Sequence, residues 1–300
     1  MPVTDLIRVT ILAIVQGIAE FLPISSSGHL VIVGAMLGEL KESPVLEIIL
    51  HAGTLGSILV VFWRRILALL TGQYRVIGLM IIGTLPAVSV GLTIKKMYPE
   101  LLRSPCLAGV MLIVTGMLLI VLGRMKVSEG RYPKLSMFAA FVVGCFQAVA
   151  ILPGISRSGS TILGGRMMGL NREDSLTFSF LLAIPAISGA TVLAVKDLLD
   201  ESAVEASDEI HVLLIGAAIA FAVGIAALKW LIRWSREDRL HWFAWWCIPA
   251  GILAMALTWN EMPLDAASPN DEATPAKLSP GEGETWFEIL SPEPAADEES

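Results

Sequence analysis

Apolar runs long enough to cross a bilayer recur along this chain as far as residue 258, and a segment immersed in hydrocarbon must satisfy its backbone polar groups within itself, as a helix does. Runs such as Cys106–Gly123 and Ile210–Leu228 have no polar face at 3.6-residue spacing, which a soluble helical protein would need. With 55% hydrophobic and only 16% charged residues, the chain is expected to be an all-α polytopic membrane protein. Its three cysteines, Cys106, Cys145 and Cys247, are odd in number, far apart and in apolar context, which suits buried free thiols rather than disulfides or a metal site. The N-terminus has no basic region followed by a small-residue cleavage site, so no cleaved signal peptide is expected.

Twice the apolar pattern is broken by the same polar element. Gln16-GIAEFLPISSSGH-Leu30 and Gln147-AVAILPGISRSGS-Thr161 align at an offset of 131 residues, with Gln16 on Gln147, Ser25 on Ser156, Ser27 on Ser158 and Gly28 on Gly159. One offset that aligns a whole Pro-Ser-Gly element indicates an internal duplication. The differences matter as well, because Glu20 faces Ile151, Ser26 faces Arg157 and His29 faces Ser160. One copy therefore carries an acid and an imidazole, the other a cation.

Short apolar segments at 5–22 and 26–38 flank the first break, followed by full spans at 45–63, 75–95 and 105–123. The pattern then restarts with 135–152 and 157–169 around the second break, and spans at 175–196, 210–231 and 240–258. The expected plan is an inverted-topology repeat within a membrane domain, 1–258, each half (5–123 and 135–258) a re-entrant helical hairpin plus three transmembrane helices. This topology puts thirteen basic residues in cytoplasmic loops (Arg64, Arg65, Arg75, Arg124, Lys126, Arg131, Lys134, Arg166, Arg172, Lys229, Arg233, Arg236 and Arg239). Six (Arg8, Lys41, Lys95, Lys96, Arg103 and Lys196) fall outside with the acidic loop 197–209 and both termini. Gly34-x-x-x-Gly38 and Gly165-x-x-x-Gly169 are spaced to bring helices close, within one chain or in a homo-oligomer. Beyond Trp259 the tail, 259–300, holds eleven acids and one base, Lys277, and is expected to be disordered.

A charge at the centre of a spanning helix costs about 2.5–3.5 kcal/mol on insertion scales, so Glu20 and Arg157 should face a polar cavity or each other. Pro23, Gly28, Pro153, Gly154 and Gly159 mark broken backbone, tolerated at that depth only around such a cavity. Ser25–Gly28 and Ser156–Gly159 would each open a half-helix whose N–H groups favour an anion, and Arg157 adds a planar donor suited to phosphate. Glu20 and His29 are candidate proton-transfer groups, with the hydroxyls of Ser25, Ser26 and Ser27 as candidate nucleophiles between them. Gln16, one turn before Glu20, could orient it or an attacking water. Set against this, serines in membrane helices often only satisfy backbone carbonyls, and a lone histidine near a helix end is more often structural.

At these residues the chain resembles a known family. Q-G-I-A-E-F-L-P-I-S-S-S-G-H (Gln16–His29) and L-P-G-I-S-R-S-G-S-T (Leu152–Thr161) are similar to the two signature motifs of the bacterial undecaprenyl-diphosphatases, integral-membrane enzymes linked to bacitracin resistance. The resemblance spans about residues 1–258 and implies hydrolysis of undecaprenyl diphosphate to the monophosphate and inorganic phosphate, recycling the lipid carrier for peptidoglycan. It also implies a multi-pass protein of the bacterial cytoplasmic (inner) membrane, with its site open to the periplasmic side. The expected partners are the bilayer and the polyprenyl diphosphate, and no nucleic acid. Glu20, Ser25, Ser26, His29, Ser156, Arg157 and Thr161 match the family's functional positions. Gln16 takes the first position of an E/Q-x-x-x-E motif where many members have Glu.

In the mechanism expected on this basis, Glu20, Ser26, His29 and Arg157 are catalytic, while Gln16, Ser25, Ser27, Ser156, Ser158 and Thr161 bind substrate. Ser26 attacks the terminal phosphorus and Glu20 or His29 takes its proton; attack by His29 or by water is the variant. A divalent cation, magnesium or calcium, could bridge the phosphates, although no dedicated carboxylate cage for one is visible. The competing class is a transporter or flippase for a lipid phosphate, since inverted repeats with broken helices also build carriers. Deleting residues 262–300 is expected to leave turnover in detergent unchanged, and a large loss in a phosphate-release assay would show that the acidic tail is no mere appendage.

Overall fold

The structure, a computed structural model, describes residues 3–36, 44–200 and 210–258. Gly38, Lys41, residues 201–209 of the acidic loop and the tail from Trp259 lie outside them. The regular elements among the described residues are helices: α1 Val3–Ala19, α2 Ser26–Met36, α3 Pro44–Val61, α4 Trp63–Leu70, α5 Tyr74–Met97, α6 Pro105–Arg124, α7 Met137–Val149, α8 Arg157–Met167, α9 Arg172–Asp200, α10 Ile210–Arg236 and α11 Ala244–Thr258. Short 3₁₀ turns occupy Pro99–Arg103, Tyr132–Lys134 and Leu240–Phe243.

Among the described residues, five stretches are long and apolar enough to cross a membrane: Tyr74–Met97, Pro105–Arg124, Arg172–Lys196, His211–Arg236 and Leu240–Thr258. The bent pair α3 and α4 makes a sixth if taken as one span. Large apolar side chains such as Leu85, Val192, Leu214 and Trp245 are exposed on these helices, a surface matched to lipid tails. The chain is a multi-pass helical membrane protein.

The sequence places Arg64 and Arg65 in a loop; they lie instead in α4, set at 76° to α3. Leu69 buries against the bundle while Trp63, Leu67 and Leu70 stay exposed, the mixed character of a helix lying along an interface.

Small residues set the closest helix contacts. A Cβ on Gly144 of α7 would sit 2.4 Å from the Gly83 carbonyl oxygen of α5, and one on Gly53 of α3 would sit 2.5 Å from that of Ala217 in α10. Gly109 and Gly251 bring α6 and α11 together in the same way. Of the spaced glycines, Gly165 packs α8 against Ser175 of α9, whereas Gly169, at φ +85°, serves the turn after α8 and meets no other helix. The buried core around Phe21, Phe62 and Phe180 has ring centroids 5.9 Å (Phe21–Phe180) and 5.7 Å (Phe62–Phe180) apart.

One end of the bundle is knitted by polar contacts among the segments that carry the thirteen cations. Arg75 donates to the carbonyls of Pro133 and Leu135, Arg166 to those of Met125 and Lys126, and Arg172 pairs with Asp238. Glu173 lies 3.4 Å from Arg65 and 3.8 Å from Arg236. Both α7 and α8 have their outer ends here, since Tyr132 N–H donates to Asp174, and Gly130 exchanges backbone bonds with Gly169 and Asn171. Gly144→Val should force α5 from α7 and lower the melting temperature in detergent, at a cost of about 1–3 kcal/mol; an unchanged melt would contradict the close packing.

Candidate active site

The two polar elements fold into breaks that cap the half-helices behind them. Ser25 Oγ accepts from the N–H of Gly28 at 3.3 Å and lies 3.4 Å from Ser27 Oγ. In the second copy, Ser156 Oγ accepts from the N–H of Gly159 at 3.2 Å and lies 3.2 Å from Ser158 Oγ. A side-chain oxygen on a first-turn N–H is the standard helix start, so these serines follow from the need to satisfy orphan donors. Gly154 has φ +92°, and Ser25 occupies the same left-handed region at +70°, unusual for a residue with a Cβ.

The breaks pack directly on each other. A Cβ on Gly28 would be 2.8 Å from Gly154 Cα, and one on Gly159 would touch Pro23 Cβ at 3.3 Å. Neighbouring helices take up the freed backbone groups: Thr115 Oγ1 of α6 donates to the Gly154 carbonyl at 2.7 Å and accepts from Ser156 N–H at 3.0 Å. Cys247 of α11 donates to the Pro23 carbonyl at 3.6 Å. This is how irregular backbone survives inside a membrane bundle.

Where the breaks meet, Glu20 is 8% exposed and fully engaged. Its Oε1 accepts from Arg157 Nη2 at 2.7 Å; its Oε2 accepts from Ser26 Oγ at 2.7 Å and from Gln16 Nε2 at 3.2 Å. Ser26 and Arg157 are the first residues of α2 and α8, so each half-helix delivers one side chain to the same carboxylate. Arg157 also lies over the Phe180 ring at 5.7 Å, while its Nη1 is buried with no partner among the described residues. A guanidinium held through one nitrogen with another free to donate is ready for an anionic oxygen.

Glu20, Ser26, Arg157 and Gln16 are thus gathered into one cluster, and the other expected residues stand differently. His29 is turned to α11: its Nδ1 lies 2.8 Å from the Ser25 carbonyl, its Nε2 accepts from Trp246 Nε1 at 2.9 Å, and the rings stack. Ser25, Ser156 and Ser158 are buried in the caps, while Ser27 is exposed. Thr161 is fully buried, donating to the Arg157 carbonyl at 2.8 Å and sharing a 2.5 Å bond with Ser179, so it supports the turn that presents Arg157.

Sequence reasoning missed His51, Thr115, Ser179 and Trp246. The signal for the first three was a polar side chain inside an apolar run: Thr115 stands alone in the fifth apolar segment, His51 lies in the third with Thr54 and Ser57, and Ser179 follows Ser175 and Thr177. Among the described residues no three of His, Cys, Asp and Glu gather as a metal cage, and Glu20, the carboxylate at the breaks, already holds three donors. Among the described residues, those at the breaks thus offer a divalent cation a single, already engaged carboxylate. A cavity of about 370 Å³ lined by Phe62, Arg64, Arg65, Glu173, Thr177 and Arg236 lies at the polar end and includes none of the Glu20 cluster.

The arrangement offers a hydroxyl hydrogen-bonded to a carboxylate, a pairing that can activate a nucleophile, beside a cation with a free donor. Thr115→Val should leave the Gly154 carbonyl and Ser156 N–H unpaired, costing about 1–3 kcal/mol each and lowering the melting temperature in detergent; a melt like that of the unaltered protein would refute the tie.

Residues 9–253 match the family described as bacitracin resistance protein BacA. An undecaprenyl-diphosphatase from Rhodopirellula baltica is 75% identical over 253 residues, 84% of this chain and 98% of that protein. Proteins of the same name from Carboxydothermus hydrogenoformans (39% over 249 residues, 82% of this chain and 95% of that protein) and Desulfatibacillum aliphaticivorans (38% over 264 residues, 80% and 94%) are also similar. With a match over most of its length and relatives covered almost end to end, this chain belongs to the bacitracin resistance protein BacA family.

Proposed function

We infer that the protein is a membrane phosphatase that hydrolyses undecaprenyl diphosphate to undecaprenyl phosphate and inorganic phosphate, returning the lipid carrier to peptidoglycan synthesis. The relatives' shared name supports this, and the observation that carries the chemistry is the convergence of Ser26 and Arg157 on Glu20 at 2.7 Å each. A lipid carrier would need the cation but has no use for a hydroxyl hydrogen-bonded to a carboxylate.

In the reaction proposed, a terminal phosphate oxygen takes the free Nη1 of Arg157 and then competes with Glu20 for the rest of the guanidinium. Ser26 Oγ gives its proton to Glu20 and attacks the terminal phosphorus, and the bridging P–O bond breaks with its electrons on the lipid monophosphate. Water then attacks the phosphoserine, Glu20 mediates return of a proton to Ser26 Oγ, and phosphate leaves. Gln16 holds Glu20 in place. Ser25 and Ser156 act through the helix starts they cap, and Ser158 and Thr161 through the turn they brace. A divalent cation would have to arrive held by the diphosphate's own oxygens, because one carboxylate is a poor cage.

The two halves form an inverted repeat in this reading. Its support is the contact pair at the breaks: Gly28 against Gly154 and Gly159 against Pro23 exchange with each other under the 131-residue offset. The cation-rich end faces the cytoplasm of the bacterial inner membrane, and the site opens to the opposite side. Purified protein in detergent, given undecaprenyl diphosphate, should release inorganic phosphate, and Arg157→Ala should slow release by about 100-fold or more. Substrate binding without turnover would favour the carrier, and near-normal release by Arg157→Ala would remove the phosphate clamp.

A further inference from the structure

Glu20 has a fourth polar neighbour that neither motif contains. His51 of α3 places Nε2 3.8 Å from Glu20 Oε2, the oxygen that also accepts from Ser26. Its Nδ1 lies 2.9 Å from the carbonyl of Glu47, one turn earlier. A carbonyl only accepts, so Nδ1 carries a hydrogen, and in the neutral ring the lone pair is then on Nε2, facing the carboxyl group. The motif's own imidazole is occupied: His29 donates from Nδ1 to the Ser25 carbonyl and accepts at Nε2 from Trp246. Gln16 is an amide and Arg157 a permanent cation, so neither can take up a proton. Of the four described side chains that bond to or pair with Glu20, two cannot exchange a proton and Ser26 is the one that supplies it. His51 is left. Its side chain is 26% exposed against 7% for Glu20, so it links the buried carboxylate to the outside.

We propose that His51 relays the proton that Glu20 takes from Ser26, as a positioning residue of the phosphatase reaction on which this inference rests. As the Ser26 Oγ–P bond forms and the bridging P–O bond breaks onto the lipid monophosphate, the Ser26 proton passes to Glu20 Oε2. It moves on to His51 Nε2, leaving Glu20 a carboxylate again, and the imidazolium releases it to water at its exposed edge. In the second half, attacking water gives a proton through Glu20 to the departing Ser26 Oγ. The 3.8 Å gap closes by a small shift of the ring once ligand is bound, as unliganded catalytic contacts commonly do.

The test uses the full chain in detergent with undecaprenyl diphosphate. His51→Gln keeps a hydrogen-bonding group but cannot carry a proton; kcat is expected to fall about tenfold or more with KM within about twofold and an unchanged melting temperature. Adding Gln16→Glu, which puts a second carboxyl group against Glu20 to share the proton, should restore most of the lost kcat. Wild-type kcat in His51→Gln, a loss confined to KM, or a loss that Gln16→Glu fails to restore would overturn the relay. Absence of phosphate release by the unaltered protein would overturn the functional reading itself, and the inference with it.

Discussion

A carboxylate and a guanidinium placed inside hydrocarbon have to satisfy each other, and the 2.7 Å contact between Glu20 and Arg157 is the constraint on which the rest of the centre is built. The two residues are 137 positions apart, on different broken helices, so their contact requires both breaks to reach the same depth. Reaching it takes backbones that touch. Gly28 and Gly154 have no side chains to hold them apart, Gly159 accepts the ring of Pro23, and Thr115 and Cys247 bond the carbonyls that the breaks release. Removing a partner from such a pair leaves a bare buried charge, which costs far more than the pair's net contribution.

The same contact bears on how the proposed substrate would be received. Nη2 of Arg157 is held by Glu20, but Nη1 is unpartnered, so an incoming phosphate has a donor to take before it disturbs the ion pair. In the proposed reaction the phosphate draws the guanidinium away and leaves Glu20 facing Ser26 and His51. Binding and activation of the hydroxyl are then one event, with the anion replacing the carboxylate as the arginine's partner. Stabilisation held in reserve for developing phosphoryl charge is what this kind of catalysis needs.

Much of the centre was legible from the sequence because hydrocarbon is an unforgiving solvent. Glu20 and Arg157 stand out in apolar surroundings, and the duplicated Pro-Ser-Gly element announces broken helices whichever way the chain folds. Of the residues missed, Thr115 interrupts an apolar run alone, while His51 and Ser179 sit among other polar side chains, and a hydroxyl or imidazole in such a run is ordinarily satisfied by its own helix. The local pattern leaves Ser25, Ser26 and Ser27 as candidate nucleophiles, and Ser26 is singled out among them only with the family resemblance in hand. Ser25 and Ser26 are adjacent, yet Ser25 caps α2 while Ser26 reaches the carboxylate, a difference set by the left-handed backbone at Ser25. His29 is the converse case: its place in the motif suggests a reactive imidazole, and only the structure shows that Trp246 of α11 donates to it.

The sequence by itself determined that the chain is helical and membrane-embedded, where its helices break, and that an acid, hydroxyls and a cation sit at the breaks. Those properties follow from local solvation and backbone geometry, which are encoded within a few turns of chain. Only the tertiary structure decided which hydroxyl and which imidazole face Glu20, because that depends on how α3, α6 and α11 pack around the crossing. Such packing is fixed by glycines and side chains more than a hundred residues apart, and no local pattern records it.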